Sequence, residues 1–133
     1  KSLIANRGLK NLLVVGHRPH KEMPYWLKAA DVLVLPNSAK EPISRQWTSP
    51  LKMFEYMASG QPIVASDLPS LREVLNSKNS ILVKPDSPEA LAEGIKKALN
   101  NDDLAKNISA QAYQDVQKYT WQKRARNILE FIK

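Results

Sequence analysis

The segment 48–55, which reads Thr-Ser-Pro-Leu-Lys-Met-Phe-Glu, contains the residue types that bind an anion. A helix that begins at Pro50 would present unpaired amide groups and the positive end of its dipole, and both favour a negative charge. The hydroxyls of Thr48 and Ser49 add donors at the same end, and Ser49 is the expected N-cap. Lys52 lies in the first turn, where a cation opposes the dipole, so its position makes sense if a phosphate lies in front of it.

Glu55 lies three residues after Lys52 and therefore on the same face of the helix. A carboxylate one turn behind a phosphate site can accept hydrogen bonds from both hydroxyls of a ribose. The alternative is an ordinary surface ion pair between Glu55 and Lys52 on a core helix, because exposed pairs at this spacing are common. On the residues alone, both interpretations stay open.

Short apolar runs alternate with helical patterns along the chain. Continuous runs rich in Val, Ile and Leu predict strands at 12–15, 32–35, 62–65 and 81–83. Helices are predicted at 22–30, 50–59, 71–75 and 88–99, and two more close the chain. Alternation of this kind gives parallel pairing with right-handed crossovers, so the predicted fold class is α/β: a Rossmann-like parallel sheet with helices on both faces.

One connection is unusually long. Residues 36–49 show neither a helical nor a strand period, whereas strand-to-helix loops in such folds usually have about 2–6 residues. Long loops at the carboxyl edge of a parallel sheet are where ligands bind. The candidate site is therefore predicted at that edge, and Asn37, just after the strand at 32–35, is a candidate contact.

Composition narrows the class of protein. Of the 133 residues, 43% are hydrophobic and 25% are charged, which is ordinary for a globular chain and excludes a disordered tail or a coiled coil. The absence of cysteine fits a reducing compartment, and a cytoplasmic location is expected. His17 and His20 lie three apart, but no third metal ligand is evident, so no metal or other cofactor is expected.

The charge of the chain predicts an anionic partner. There are 20 Lys and Arg residues against 13 Asp and Glu, a net charge of +7. Residues 118–133 are predicted as a basic closing helix. This helix is either a solvated face or a surface that contacts an anionic membrane.

Two longer stretches, from Gly16 to Pro36 and from Ser49 to Pro69, resemble the group 1 glycosyltransferases, which are retaining enzymes of the GT-B type. The resemblance has no gaps in its core segments and extends loosely into the closing helices. It implies that residues 1–133 are part of a domain that binds a nucleotide-sugar donor, while an acceptor-binding N-terminal domain lies outside the chain. It also implies sugar transfer with retained anomeric configuration and without a metal ion.

The resemblance also assigns roles to single residues. Glu55 matches a glutamate that contacts the ribose hydroxyls, and Ser49 and Lys52 match positions that face the diphosphate. The loop that begins at His17 lies where the family places the base. The expected donor contacts are Thr48, Ser49, Leu51, Lys52, Glu55, His17, Arg18 and Asn37. No catalytic residue is expected in this chain alone, because catalysis needs both halves closed around the donor.

The chain departs from the family pattern at two points. Many members carry a glutamate, which touches the transferred sugar, eight residues before the position of Glu55, and here that position is Trp47. The family's domain also normally opens with two further strand–helix units. In the strand order 3-2-1-4-5-6, those two strands would lie between 12–15 and 32–35. Three explanations stay open: 12–15 pairs directly with 32–35, a partner chain completes the sheet, or the chain is part of a longer protein.

Two other classes of function stay open. One is a non-catalytic nucleotide-binding module, which Trp47 in place of the glutamate favours. The other is a basic α/β domain that binds a membrane surface or nucleic acid, although the sequence has no nucleic-acid-binding motif and no nucleic-acid partner is expected. In a full-length transferase, the basic helix would attach the protein peripherally to the inner face of the membrane.

Overall fold

A computed structural model describes residues 10–132, and within them three strands form one parallel sheet in the order β1-β2-β3. The strands are β1 (Leu33–Leu35), β2 (Ile63–Ser66) and β3 (Ile81–Val83). In the register of the sheet, Leu33 pairs with Ile63 and Val64 pairs with Ile81. The parallel pairing of these three predicted strands confirms the α/β class.

Helices connect and cover these strands. Along residues 10–132 they are a 3-10 turn (His20–Glu22), α1 (Met23–Lys28), a π-helix (Ile43–Trp47), α2 (Leu51–Ser59), α3 (Pro69–Arg72), α4 (Pro88–Leu99), α5 (Asp102–Val116) and α6 (Trp121–Phe131). In this part of the chain no helix is both long enough and apolar enough to cross a bilayer.

The central strand β2 is covered on both of its faces. Ile63 and Ala65 point to one side, where they pack in a cluster with Met53 and Met57 of α2. Val64 points to the other side and packs in a second cluster with Ala98 of α4. A strand enclosed in this way reads as a continuous apolar run, so the predicted arrangement of helices on both faces is confirmed.

Local sequence signals explain where several helices begin and end. The helices α4, α5 and α6 begin after side-chain caps, in which Ser87, Asn101 and Thr120 accept hydrogen bonds from backbone amides three residues later. Helix α2 ends at Gly60, whose φ of 74° is the left-handed conformation that glycine adopts without steric cost.

The predicted strand at 12–15 is wrong. These residues have no strand conformation and pair with no strand, and the Leu13 side chain is 81% exposed. In the described part of the chain, β1 has β2 as its strand neighbour, so direct pairing of 12–15 with β1 is also wrong. An apolar run without a partner for its backbone groups cannot form a ladder. Completion of the sheet by a partner chain stays a prediction.

Other boundaries also differ from the prediction. The long loop contains a π-helix, and Pro50 rather than Ser49 is the N-cap residue of α2. The closing helix begins at Trp121 instead of residue 118, and Lys133 lies outside the described residues. Trp26 and Trp121 are 44% and 71% exposed, although their spacing on apolar helix faces predicts core positions.

Candidate functional site

The loops at the carboxyl edge of the sheet are tied to one another by hydrogen bonds. After β1, the Ser38 hydroxyl and the Ala39 amide donate to the two carboxylate oxygens of Asp86, at 2.7 and 2.9 Å. The Ser70 hydroxyl at the start of α3 donates to the Ser44 carbonyl of the π-helix at 2.8 Å. Segments that follow all three strands are therefore held against each other, as the predicted position of the site requires.

The amino-terminal end of α2 opens onto this edge. Its N-cap residue Pro50 has an extended backbone, with φ −71° and ψ 126°, and no side chain of the described residues caps the helix. The first helical hydrogen bond runs from the Met53 amide to the Pro50 carbonyl at 2.9 Å. The amides of Leu51 and Lys52 therefore have no acceptor within the helix, and they point to the space in front of it.

The two hydroxyls before α2 have different surroundings. The Thr48 hydroxyl donates a hydrogen bond to the Ile43 carbonyl of the π-helix at 2.9 Å. The hydroxyl proton of Thr48 is therefore bonded within the loop and does not face a ligand. Ser49 is exposed at the mouth of the helix end. Of the two predicted hydroxyl donors, Ser49 is the one that the structure leaves facing solvent.

Lys52 and Glu55 do not form the surface ion pair that their spacing allows. Within residues 10–132, Glu55 instead lies beside His20, with 3.5 Å between Nε2 and Oε1. Lys52 is exposed beside the helix end. Burial raises the pKa of the neighbouring Tyr56, and the Glu55 charge adds to this effect. The half-buried Glu55 carboxylate and the exposed Lys52 ammonium thus lie in the first turns of α2, which also carry the open amides.

Three further predicted contacts lie in the segments before α1 and after β1. The Arg18 guanidinium lies over the Trp26 ring of α1, 5.4 Å from its centroid, so a cation–π contact orients it. His17 precedes it and is exposed, and Asn37 is half-buried directly after β1. The structure gives no contact between these three side chains and Lys52 or Glu55.

A groove of about 720 Å³ runs beside Glu55, between α2 and α6. Its walls include Phe54 and Tyr119, whose ring centroids are 5.2 Å apart, together with Trp121 and Arg124. A volume of this size matches those of small-molecule pockets. The predicted site did not include Tyr119, Trp121 or Arg124, because the spacing of Trp121 on an apolar helix face predicts a core position rather than a groove wall.

Metal-ligating side chains are not clustered within the described residues. Between residues 10 and 132, no group of three or more His, Asp or Glu side chains converges. The site thus consists of amides, one ammonium, one carboxylate and an aromatic groove.

Comparison with known proteins identifies the family. The profile described as "Glycosyl transferases group 1" matches residues 1–115. The chain belongs to this family. Its resemblance to the group 1 glycosyltransferases of the GT-B type is therefore confirmed.

Individual relatives agree with this assignment. The D-inositol 3-phosphate glycosyltransferase of Corynebacterium urealyticum is 30% identical over 117 residues, which cover 87% of this chain and 26% of that protein. The fold matches sucrose-phosphate synthase from Thermosynechococcus elongatus with a TM-score of 0.82 and 27% identity, over 98% of this chain and 32% of that one. It also matches Anabaena HepE, solved in complex with UDP-glucose, with a TM-score of 0.81 and 21% identity, over 98% and 35% of the chains.

The chain is much shorter than the glycosyltransferases that it matches. It spans about a quarter of the curated relative and about a third of the two solved structures. The carboxyl edge, the open helix end and the groove therefore belong to one part of a family member, and the activity of the whole protein is a proposal.

Proposed function

We propose that this chain is the donor-binding part of a glycosyltransferase that transfers a sugar from a nucleoside diphosphate to an acceptor with retained configuration. The observation that carries the proposal is the uncapped start of α2, with Lys52 and Glu55 beside it, at the sheet edge where the loops converge. Family membership supplies the reaction class.

The open helix end would hold the diphosphate. When the bond between the sugar C1 and the oxygen of the distal phosphate breaks, negative charge develops on that oxygen. The Leu51 and Lys52 amides, the Ser49 hydroxyl and the Lys52 ammonium would stabilise this charge from positions that exist before the donor binds. No metal ion enters this step, because the positive groups of the protein offset the charge.

Glu55 would hold the ribose. Its Oε1 lies 3.5 Å from His20 Nε2, which leaves Oε2 as an acceptor for the ribose hydroxyls. The loop that contains His17 and Arg18 would border the base. A UDP-sugar is the donor class that the HepE complex supports by analogy, since HepE was solved with UDP-glucose.

The chain by itself is expected to bind nucleotide weakly and to catalyse nothing. Catalysis in this proposal needs an acceptor domain that closes on the donor, and that domain lies outside the chain. A second candidate, a non-catalytic nucleotide-binding module, is favoured by Trp47 at the place of the sugar-contacting glutamate. Turnover of a nucleotide sugar by the full-length protein distinguishes the two.

Calorimetric titration of the full-length protein with UDP, GDP and ADP tests the donor site. We expect one of them to bind, and we expect Lys52→Ala and Glu55→Ala each to weaken binding about 5- to 50-fold, as for the loss of a charge-assisted hydrogen bond. The matched controls are Lys97→Ala and Glu93→Ala on α4, which are exposed and distant from α2 along the fold. Binding that Lys52→Ala and Glu55→Ala leave unchanged would contradict the proposal.

A further inference from the structure

The structure places His20 beside the carboxylate of Glu55. Nε2 of His20 lies 3.5 Å from Oε1 of Glu55, and the two side chains are 88% and 41% exposed. The other two ion pairs within residues 10–132 each join residues that are at most five apart in sequence. The contact between His20 and Glu55 instead links the 3-10 turn before α1 to the middle of α2.

The backbone around His20 is held by its own hydrogen bonds. The Glu22 amide donates to the Pro19 carbonyl at 2.9 Å, and the Met23 amide donates to the His20 carbonyl. Helix α1, which follows directly, packs against α2. Because an ordered turn carries the imidazole, its contact with Glu55 does not require the chain to reorganise.

The Glu55 carboxylate gains order from a charged neighbour. A glutamate side chain has three rotatable bonds, so on an open helix face it samples several rotamers. The buried Met53 and Met57 fix the backbone of α2 on either side of Glu55, but they do not fix its carboxylate. A positive group at Oε1 restricts these rotamers and leaves Oε2 available as an acceptor. Order that exists before the ligand arrives reduces the entropy lost on binding.

Histidine is the side chain whose charge changes between about pH 5 and pH 8. Carboxylate, tyrosine, lysine and arginine side chains ordinarily titrate outside this range. Burial raises the pKa of Tyr56, which keeps this phenol neutral. The charged or titratable groups around the pair are Lys21 and Glu22 in the turn, Lys52 and Tyr56 on α2, Lys118, Tyr119 and Arg124 in the groove, and Asp115 of α5, which pairs with Lys118.

We propose that His20 is a positioning residue for the donor: its imidazolium holds the Glu55 carboxylate in the orientation that accepts the ribose hydroxyls. Donor binding then strengthens as His20 is protonated. This inference rests on the proposed function, because it assumes that Glu55 holds the ribose. Both side chains face solvent, so water screens the pair and the gain is a few-fold, as for other exposed ion pairs.

The test measures by calorimetry how pH changes the affinity of the full-length protein for a nucleotide sugar. UDP-glucose, GDP-mannose and ADP-glucose are the probes, because their phosphates stay ionised between about pH 5.5 and pH 8. For the probe that the unaltered protein binds, we expect about two- to fivefold tighter binding at about pH 5.5 than at about pH 8. His20→Gln should bind near the weaker level throughout. His20→Lys, which stays charged, should bind near the tighter level throughout.

Two controls separate His20 from its surroundings. Lys21→Gln removes a positive charge from the same turn, and His17→Gln removes the other histidine of the chain. Both proteins should keep the pH dependence. A double-mutant cycle then separates positioning of Glu55 from direct attraction of the phosphates. In a Glu55→Gln protein, the pH dependence should be absent, and adding His20→Gln should not change the affinity further.

An affinity that does not vary with pH in the unaltered protein, or a variation that His20→Gln retains, would overturn the positioning role. An equal effect of His20→Gln with and without the Glu55 carboxylate would also overturn it, because the imidazole would then act on the donor directly. If no probe binds at any pH, or if Glu55→Gln costs no affinity, the proposed function itself fails. That result is distinct from one in which Glu55 matters and His20 does not.

Discussion

At the scale of the residue, Asp86 organises the loops around the site. It has a φ of 55°, and its carboxylate accepts hydrogen bonds from the Ser38 hydroxyl and the Ala39 amide. The Ser38 bond, followed by the Ala39 bond, lowers the pKa of Asp86 below 3.8. The ionised carboxylate therefore joins the segment after β1 to the segment after β3.

This arrangement predicts a pH-dependent contribution to stability. Because the folded pKa is lowered, the contribution is present above the unfolded value of 3.8 and is lost as pH falls through the folded value. Asp86→Asn keeps an acceptor oxygen and tolerates the left-handed backbone, but it cannot ionise. We expect the unaltered protein to melt at a higher temperature than Asp86→Asn at about pH 7, and the difference to shrink by about pH 2.

The test measures the melting temperatures of the unaltered protein and Asp86→Asn across that pH range. Other carboxylates, such as Asp67, also titrate in this range, but they are common to both proteins and cancel in the difference. A difference in melting temperature that stays constant with pH would show that the Asp86 charge does not hold the loops.

Some residue-level expectations depend on contacts that no local pattern contains. The residues 48–55 predict an anion seat because a helix start, a proline and a misplaced lysine are all visible in the sequence. The use of the Thr48 hydroxyl within the π-helix is not visible, because it depends on the Ile43 carbonyl, which only the folded loop brings next to it. The pair between His20 and Glu55 likewise joins two segments that only the fold brings together.

At the scale of the element, Gly94 sets how closely α4 packs on the sheet. A Cβ at this position would lie 2.6 Å from Val83 Cγ1 and 2.9 Å from Val64 Cγ1. Alanine favours a helix over glycine by about 1 kcal/mol, whereas overpacking a core costs about 1–3 kcal/mol. The steric cost exceeds the helical gain because both clashes involve short, stiff valine side chains.

Gly94→Ala is therefore expected to lower the melting temperature by a few degrees, corresponding to about 1–2 kcal/mol. Val83→Ala in the same protein should recover part of the loss, because it removes the closer methyl group. The matched control is Ala92→Gly at an exposed position of α4, which should cost about 1 kcal/mol through helix propensity alone. A Gly94→Ala protein that melts at a higher temperature would contradict this packing.

Strands could be predicted from the sequence where an apolar run also has a neighbouring strand to pair with. The runs at 32–35, 62–65 and 81–83 form strands because each finds a neighbour in the sheet. The equally apolar run at 12–15 forms none, since an apolar run reports a tendency to be buried and not the presence of a partner. The groove beside α6 was missed for a related reason: it depends on where Trp121 and Arg124 lie relative to α2.

At the scale of the whole chain, the net charge of +7 would act on the proposed anionic donor before contact. The surplus of positive charge would attract the proposed nucleoside diphosphate over distances comparable to the Debye length. This length falls from about 10 Å at 0.1 M salt to about 3 Å at 1 M. The association rate is therefore expected to fall as salt is added.

Stopped-flow binding of the nucleotide in about 0.1 M and about 1 M salt measures this effect. We expect a reduction of the association rate constant of about threefold or more in the unaltered protein, and a smaller reduction in Lys52→Ala, which lacks the charge nearest the seat. The Lys97→Ala protein, with the same net charge, serves as the control. Identical salt dependence in Lys52→Ala and Lys97→Ala would mean that Lys52 does not contribute specifically to attracting the donor.

The central claim is that the start of α2 is the seat of the diphosphate, and a crystal structure of the full-length protein with its nucleoside diphosphate tests it most directly. We expect oxygens of the distal phosphate to lie about 2.7–3.2 Å from the amide nitrogens of Leu51 or Lys52, with the ribose hydroxyls against Glu55. A diphosphate bound away from this helix end, with both amides bonded to water or to protein groups, would contradict the account.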